Sequence, residues 1–463
     1  MNIEYLGLKE VTGSIVVLNG VKDASYEEMV DITMSNGERR TGRVIEIKDD
    51  VAVVQVFEGT IGISNSNTRT RFKGTALELG LSKEILGRTM NGLGKPIDGL
   101  GEIMASAHWD VNGNPINPIS RKYPRNYIQT GVSAIDGLTT LIRGQKLPVF
   151  SGNGLPHDQL AAQIVKQAQL SADADNNENF AIVFAAMGVK NDVADFFKRS
   201  FEESGVLEKV VMFLNLANDP VVERIVTPRC ALTAAEYLAF EHNMHVLVIL
   251  TDMTSYCEAL REVSSSKGEI PSRKGFPGYT YSDLASLYER AGMLKDREGS
   301  ITQIPILSMP NDDITHPIPD LTGYITEGQI VLDRGLHQKG VYPPIIVLPS
   351  LSRLMKDGIG KGFTREDHPQ IANQLFASYA HVQEVKALAS VIGEDELSPI
   401  DTIYMKFGKA FEEQFVSQNR DENRNMEDTL DIGWNLLGML PREELTRVTD
   451  DVLDKYYKPR NNA

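Results

Sequence analysis

The chain has 463 residues and a net charge of −16. It is too long for one hydrophobic core, so two or three domains are expected, and its acidic balance argues against a nucleic-acid partner. No stretch approaches the roughly 18 apolar residues of a membrane span, and Met1–Tyr5 lacks the basic and apolar regions of a secretory signal. Cys230 and Cys257 give neither a disulfide framework nor a metal-ligand spacing, and Cys230 is expected in a core. A cytoplasmic protein is therefore expected.

Residues 1–75 alternate apolar and polar positions between turn signals. Ser14–Leu18, Arg40–Ile47 and Val51–Phe57 have the alternation of half-buried strands, and Asn19-Gly20 is typical of a turn between strands. Several short strands at this spacing predict a small antiparallel β-barrel. No polar cluster suggests a site here, so the domain is predicted to be architectural.

A glycine-rich segment, Gly87–Asp98, follows the predicted barrel. Its composition argues against regular helix or strand. A glycine-rich loop can bind phosphate, but it can equally be a packed connector between domains, and the segment alone does not decide between them.

Residues 76–358 are predicted to form a second domain of alternating strands and helices, a pattern that indicates a mostly parallel sheet covered on both faces. The predicted strands are Asn179–Ala185, Val210–Leu214, His245–Leu250 and Ile304–Ser308. The predicted helices are Asp192–Gly205, Thr233–His242, Tyr256–Ser265 and Tyr281–Gly292. Ligands of such sheets bind at the carboxyl ends of the strands.

Helix signals dominate residues 359–463, which are predicted to form a C-terminal helical bundle. Thr364–Asp367 can cap one helix, and Ser398-Pro399 places a cap before a proline at the first helical position. The next helix carries an apolar stripe of Ile400, Ile403, Phe407, Phe411 and Phe415. Pro441 is predicted to open a last helix with Leu445, Val448, Val452 and Tyr456 on one side. The predicted fold class is thus multidomain α/β with a barrel, a parallel sheet and a bundle.

The stretch Arg143–Ile164 has the strand–loop–helix layout of a phosphate-binding loop but lacks its chemistry. The pattern G-x-x-x-x-G-K-[ST] needs Gly, Gly, Lys and Ser/Thr, and this chain has Ser151, Pro156, His157 and Asp158 at those positions. Asp158 beside a phosphate at about 4 Å would cost about 4 kcal/mol at an effective dielectric near 20. Pro156 removes a backbone donor. The loop is predicted to hold no catalytic triphosphate.

Two further positions could carry chemistry. Asp252 ends the most apolar strand, where it could hold Mg²⁺ beside a nucleotide or cap the following helix, and both interpretations stay open. Arg353 follows a strand-like run and is flanked by Ser350 and Ser352. It could present its planar fork to a phosphate, although an isolated arginine is more often a surface ion pair.

Several specific motifs over essentially the whole length resemble the B subunit of the V-type (A-type) rotary ATPase. They are Gly87–Asp98, Gly131–Gly137, Arg143–Gly152, Asn215–Pro220, Glu258–Glu262, Pro319–Gln329 and Leu348–Leu354. The resemblance implies a barrel, a nucleotide-binding (P-loop-type) α/β domain and a helical bundle. It also implies an alternating hexamer of A and B subunits, with ATP or ADP and Mg at their interfaces and none held tightly by this chain alone.

At the catalytic interface the resemblance implies that the A subunit supplies the phosphate loop and the B subunit an arginine finger, at the position of Arg353. Ser350 and Ser352 would accompany it as nucleotide-binding residues. Catalytic relatives have a glutamate where this chain has Val189, and Thr251 takes the position of their metal-binding aspartate. The loop from Ser151 through Gly152, Asn153, Gly154, Pro156 and His157 to Asp158 is therefore expected to be degenerate and non-catalytic, with no metal held by this chain. Ile346 replaces a polar residue usual in the family, which affects the expected local hydrogen bonding.

Further partners implied by the resemblance are central-stalk (rotor) and peripheral-stalk subunits, with the membrane reached only through the complex at its cytoplasmic face. The acidic stretch Gly393–Ser398 resembles a loop that faces the rotor, so Asp395, Glu396 and Leu397 are candidates for that contact, although a solvated turn is the plain alternative. The expected function is non-catalytic and regulatory: the complex would couple ATP hydrolysis or synthesis to proton or sodium transport. Two rival hypotheses stay open, a pure scaffold subunit and a self-sufficient hexameric ATPase.

Overall fold

The computed structural model describes residues 4–113, 115–170 and 179–460; the outermost ends of the predicted ranges 1–75 and 359–463 lie outside them. The chain divides into two compact units. The first comprises residues 1–116, 181–199 and 207–290, and the second comprises 117–180, 200–206 and 291–463. Within the described ranges, every helix is too short or too polar to cross a lipid bilayer.

The regular elements are as follows. The strands are β1 (Glu4–Leu6), β2 (Glu10–Thr12), β3 (Ile15–Asn19), β4 (Met29–Thr33), β5 (Arg39–Lys48), β6 (Val51–Val56), β7 (Arg69–Phe72), β8 (Glu78–Leu81), β9 (Thr89–Asn91), β10 (Ala107–Asp110), β11 (Tyr127–Gln129), β12 (Leu141–Ile142), β13 (Val149–Gly152), β14 (Gln169–Leu170), β15 (Phe180–Val189), β16 (Val210–Leu216), β17 (His245–Thr251), β18 (Gly292–Met293), β19 (Ser300–Met309), β20 (Gly328–Leu332) and β21 (Ile345–Ser352). The helices are α1 (Ser133–Leu138), α2 (His157–Gln167), α3 (Asn191–Glu203), α4 (Val221–Phe240), α5 (Met253–Ser266), α6 (Thr280–Tyr288), α7 (Pro317–Ile325), α8 (Arg334–Gln338), α9 (His368–Ile392), α10 (Pro399–Ala410), α11 (Met426–Leu437) and α12 (Asp450–Tyr456).

The N-terminal part of the first unit is a seven-stranded antiparallel sheet in the order β1-β7-β4-β5-β6-β3-β2. Its strands alternate buried and exposed residues, as a sheet with one covered face requires. The buried side chains form one apolar cluster that includes Val16, Val30, Val44 and Val54. The predicted antiparallel β-barrel is confirmed.

The first unit also contains parallel strands, with β17, β15, β16 and β9 as successive neighbours. β9 lies inside the glycine-rich segment, so the prediction that this segment holds no strand was wrong. The remainder of the segment is held by Asp98, which accepts hydrogen bonds from Arg88 Nε (2.7 Å) and Thr89 N (3.1 Å). The arginine bonds hold the pKa of the Asp98 carboxyl well below its usual range. These contacts give the segment the properties of a packed connector.

Helix α4 of the first unit begins at Val221, twelve positions before the predicted start at Thr233. It is buried on nearly every side and contains Pro228. A helix covered all round has no one-sided apolar period for a sequence to display, and an internal proline normally argues for a helix end. Cys230 is fully buried in it, as predicted, and burial raises the pKa of its thiol to about 12.

The second unit has β13 between β19 and β20, with both pairs parallel, and β21 runs antiparallel to β20 at the edge. The expectation of a mostly parallel sheet is confirmed. β13 leads through residues 153–156 into α2, whose buried face includes Leu160, Ile164 and Val165. The predicted strand–loop–helix layout is therefore present.

Helices α9–α12 of the second unit share one apolar cluster that includes Phe407, Phe411 and Phe415, as the predicted stripe requires. Ser398 caps α10 by accepting a hydrogen bond from Asp401 N, ahead of Pro399. Two predictions for this region were wrong. Thr364 does not cap a helix, since its hydroxyl oxygen accepts from Gly360 N (2.7 Å) and α9 begins without a side-chain cap. After Pro441 the chain makes only a short 3₁₀ turn, and the last helix begins at Asp450.

Candidate functional site

The loop between β13 and α2 satisfies its own polar groups. Ser151 is fully buried, and its hydroxyl lies 2.9 Å from His157 Nδ1. The backbone N–H of Leu155 donates to Gly152 O (3.1 Å), and that of His157 donates to Leu155 O (2.9 Å). Pro156 has no N–H to offer. Two donors that could point at a phosphate are thus used inside the loop, and a third is missing.

Asp158 lies in the first turn of α2, where the helix dipole favours a negative charge. Its carboxylate Oδ1 is 3.7 Å from His157 Nε2. The position that attracts phosphate in a phosphate-binding loop therefore already holds an anion that belongs to the chain. An incoming phosphate would meet repulsion from this carboxylate instead of attraction from a lysine.

An ion pair that the sequence did not reveal lies directly against this loop. Arg334 Nε donates to Asp312 Oδ2 (2.7 Å), and Arg334 Nη2 donates to both Asp312 Oδ1 (2.8 Å) and the carbonyl of Asn153 (2.9 Å). A Cβ at Gly152 would come within 2.0 Å of Asp312 Oδ1. The glycine is thus needed for the approach of this pair. The hydrogen bond from Arg334 lowers the pKa of the Asp312 carboxyl.

In the first unit, two positions that could hold catalytic side chains hold inert ones. Val189 ends β15 and is buried, so no carboxylate is available there to orient a water. Thr251 ends β17 and is also buried. Asp252 accepts a hydrogen bond from Thr254 N (2.8 Å) and caps α5. The capping interpretation of Asp252 is therefore the one that the contacts bear out.

Arg353 follows β21 and is exposed. Its guanidinium makes no ion pair or side-chain hydrogen bond within the parts of the chain that the structure describes. Its backbone is fixed, because Arg353 N donates to Glu327 O (2.9 Å). A guanidinium that extends from a fixed backbone, and that has no partner in the described part of the chain, can bind an external anion.

Ser350 and Ser352 are buried beside this arginine, at 4% and 7% exposure. Ser350 Oγ donates to the carbonyl of Ile346 (2.6 Å) and accepts from Val331 N (3.0 Å). Ser352 Oγ donates to Thr140 O (3.0 Å). Contact of either hydroxyl with nucleotide stays a prediction, and these bonds give both serines a role in anchoring β21. Only the backbone carbonyl of Ile346 takes part, so the apolar side chain there does not interrupt the bonding.

A cavity of about 720 Å³ in the second unit was not foreseen from the sequence. Its lining includes Tyr342, Gln418, Asn419, Arg420, Asp421 and Arg424. Gln163 of α2 holds two of these lining residues: its side chain accepts from Tyr342 Oη (3.0 Å) and donates to Asn419 O (3.3 Å). The volume of this cavity lies within the usual range for small-molecule sites. The lining residues are far apart in sequence, which is why no local pattern announced it.

The acidic stretch forms an exposed 3₁₀ turn, Glu394–Glu396, between α9 and α10. Asp395 and Glu396 are exposed, whereas Leu397 is half-buried against the helical cluster. Contact with a rotor stays a prediction for these three residues. Among the residues that the structure describes, no group of three His, Cys, Asp or Glu side chains is placed to hold a metal ion.

Comparison with known proteins gives family matches along most of the chain. Residues 8–74 match the ATP synthase alpha/beta family beta-barrel domain, residues 131–352 its nucleotide-binding domain, and residues 357–457 the C-terminal domain of V and A type ATP synthase. The V-type ATP synthase beta chain of Halothermothrix orenii is 64% identical over 98% of both chains. The V-type ATP synthase beta chain 2 of Clostridium tetani is 62% identical over 99% of both. This chain belongs to the V-type ATP synthase beta-chain family.

A solved structure described as the unique ATP synthase subunit NeqB from Nanoarcheaum equitans supports the same assignment. It is 38% identical, with a TM-score of 0.73, and the match covers 92% of this chain and 100% of that one. The resemblance to the B subunit stated from the motifs is thereby confirmed, and so is the three-part fold. As a V-type ATP synthase B subunit, the chain contributes to the ATPase head and carries a domain of the nucleotide-binding type.

Proposed function

We propose that this V-type ATP synthase beta chain is a non-catalytic, regulatory subunit that contributes Arg353 in trans to a nucleotide held by a neighbouring A subunit. The complex would couple ATP hydrolysis or synthesis to proton or sodium transport, at the cytoplasmic face of the membrane. The observation that carries this proposal is the contrast between two sites of one unit. The loop at 151–158 is closed by contacts within the chain, whereas the side chain of Arg353 is exposed, charged and unpaired among the residues that the structure describes.

The chemistry follows from charge. Phosphoryl transfer spreads negative charge over the transferred group, and a guanidinium presented from a neighbouring subunit stabilises that charge in the transition state. Such arginines contribute roughly 10³–10⁵ in rate, equivalent to about 4–7 kcal/mol of barrier. Mg²⁺ accompanying ATP or ADP would be held by the A subunit, since Asp158, Thr251 and Asp252 of this chain offer it no suitable set of ligands. The rotor would contact the C-terminal bundle through Asp395, Glu396 and Leu397, and peripheral-stalk subunits would hold the head.

The test is Arg353→Ala in a reconstituted ring of A and B subunits. The ring should assemble, and ATP turnover at saturating substrate should fall by roughly 10³-fold or more. Arg71→Ala is the matched control, because Arg71 is also an exposed arginine but belongs to strand β7 of the N-terminal barrel. Normal turnover in an assembled Arg353→Ala ring would favour the pure scaffold hypothesis.

A further inference from the structure

The backbone of Arg353 rests on an ion pair between a buried lysine and a half-buried glutamate. Glu327 accepts the Arg353 N–H through its carbonyl (2.9 Å). Its carboxylate accepts from Lys146 Nζ (2.7 Å) and from Lys146 N (2.8 Å). A third bond runs back from Glu327 N to Lys146 O (3.1 Å). Lys146 and Glu327 are thus joined by three polar contacts, and Glu327 in turn holds the backbone N–H of Arg353.

A second tie reaches the neighbouring residue. Gln145 Nε2 donates to Ser352 Oγ (2.9 Å) and more weakly to Glu327 O (3.3 Å). Gln145 is itself held, since its Oε1 accepts from Ile142 N (2.9 Å). Ser352 is therefore held by Gln145 and Arg353 N by Glu327, and Gln145 and Glu327 also bond to each other.

The close approach of these segments depends on Gly328. Its φ of +142 lies outside the range that other residues readily adopt, and a Cβ there would come within 2.0 Å of Leu351 O. Glycine lets β20 begin directly against the end of β21. Glu327 is thereby brought within hydrogen-bonding distance of the Arg353 backbone.

The degree of burial indicates that these contacts are held firmly. The Lys146 side chain is only 4% exposed and that of Glu327 28% exposed. A buried ammonium is tolerated only with a paired carboxylate, because its desolvation is otherwise uncompensated. The pair is therefore fixed in place, unlike a surface ion pair that exchanges with water. The free guanidinium of Arg353 extends from this rigid base.

We propose that Gln145, Lys146 and Glu327, the finger platform, are positioning residues for Arg353. The platform fixes the backbone of Arg353, so that the guanidinium at the end of its side chain reaches the transferred phosphoryl group in trans. A misplacement of about 1 Å can cost roughly 10²-fold in rate. This inference rests on the proposed function of Arg353. It also gives a role to the segment that leads into β13, despite the degenerate loop after that strand, because Gln145 and Lys146 lie just before β13.

The test is Glu327→Gln in the reconstituted ring, which keeps the side-chain shape but removes the charge opposite Lys146. We expect kcat to fall by roughly 10- to 100-fold, with the KM for ATP little changed, because substrate is held by the other subunit. Lys146→Met combined with Glu327→Gln removes both charges and leaves no buried ammonium unpaired, and it should show the same loss. Glu27→Gln is the matched control: its side chain is 23% exposed and paired with Arg43 in the barrel.

A double-mutant cycle separates positioning from a general structural effect. If the platform acts through Arg353, Glu327→Gln should cause no further loss in an Arg353→Ala ring. An equal loss in both backgrounds would overturn the proposal. Wild-type turnover in Glu327→Gln, with turnover still lost in Arg353→Ala, would reject the platform and leave the finger standing. Wild-type turnover in Arg353→Ala would reject the proposed function itself.

Discussion

His368, at the start of α9, ties two parts of the second unit together and should make the stability of that unit depend on pH. It is fully buried. Its Nε2 lies 3.0 Å from the carbonyl of Gly137 in α1, and its Nδ1 lies 3.0 Å from Thr364 Oγ1. The carbonyl can only accept, so Nε2 carries the proton and Nδ1 accepts from the threonine hydroxyl. The site is built for a neutral imidazole.

Burial lowers the pKa of His368 from its ordinary 6.5 to about 4, although the carbonyl of Gly137 opposes part of this shift. Between these two pH values the unfolded chain binds a proton that the folded chain does not. The contribution of neutral His368 to the unfolding free energy is therefore complete above pH 6.5. This contribution is lost as pH falls towards 4. At 1.36 kcal/mol for each pKa unit, the loss is about 3 kcal/mol.

The assay can follow this unit specifically. The chain has two tryptophans, and Trp434 donates its Nε1 proton to Asp367, the neighbour of His368 (2.6 Å). In a Trp109→Phe background, the fluorescence of Trp434 reports urea unfolding of the second unit. The measurement is the unfolding free energy from pH 7.5 down to pH 4.

His368→Gln supplies the comparison, because glutamine can still donate to Gly137 O but does not titrate. Stability of the parent should fall relative to this variant by about 3 kcal/mol between pH 7 and pH 4. His381→Gln is the control, since His381 is only half-buried, with 42% of its side chain accessible. Parallel pH profiles for the parent and His368→Gln would refute the reasoning.

Two other outcomes are expected. The purified chain without A subunit should release no phosphate from ATP. Supplying the missing lysine and hydroxyl with His157→Lys and Asp158→Thr should not change this, because Ser151 and Pro156 still replace the two glycines and Val189 provides no carboxylate; steady hydrolysis by either protein would contradict it. Phe411→Ala should lower the unfolding free energy by about 3–5 kcal/mol, since Phe411 is fully buried and stacked at 5.2 Å on a neighbouring ring; Phe376→Ala, at a 40% exposed position, should cost much less.

Local patterns predicted the parts of the site that are local in sequence. The strand–loop–helix around Ser151 and the arginine directly after β21 each depend on a few adjacent residues. For Asp252 the sequence left a helix cap and a Mg²⁺ ligand open, and only the structure decided for the cap. The motifs then identified the family, which the comparisons confirmed. Residue types at fixed positions were enough to show that the loop lacks lysine.

Contacts between distant segments were not predictable in the same way. Asp312 and Arg334 meet at Asn153 although nothing in their own surroundings marks them as partners. The start of α4 was missed because burial on every side removes the period that a sequence displays. The last helix was placed too early because Leu445 and Val448 are buried without belonging to a helix, so an apolar spacing alone suggested one.

The contrast along β13 has a consequence for how this protein tolerates change. The exposed Asn153 bonds to Arg334 through its backbone carbonyl, whereas Gln145 and Lys146, just before the strand, bond to the chain around Arg353. Substitutions should therefore be tolerated at Asn153, just after this strand, and rejected at Gln145 and Lys146, just before it. Gly154 should stay glycine because its φ is +79°. Residues 145–154 keep the frame of a phosphate-binding loop, but selection on their side chains would act mainly at the beginning of this segment.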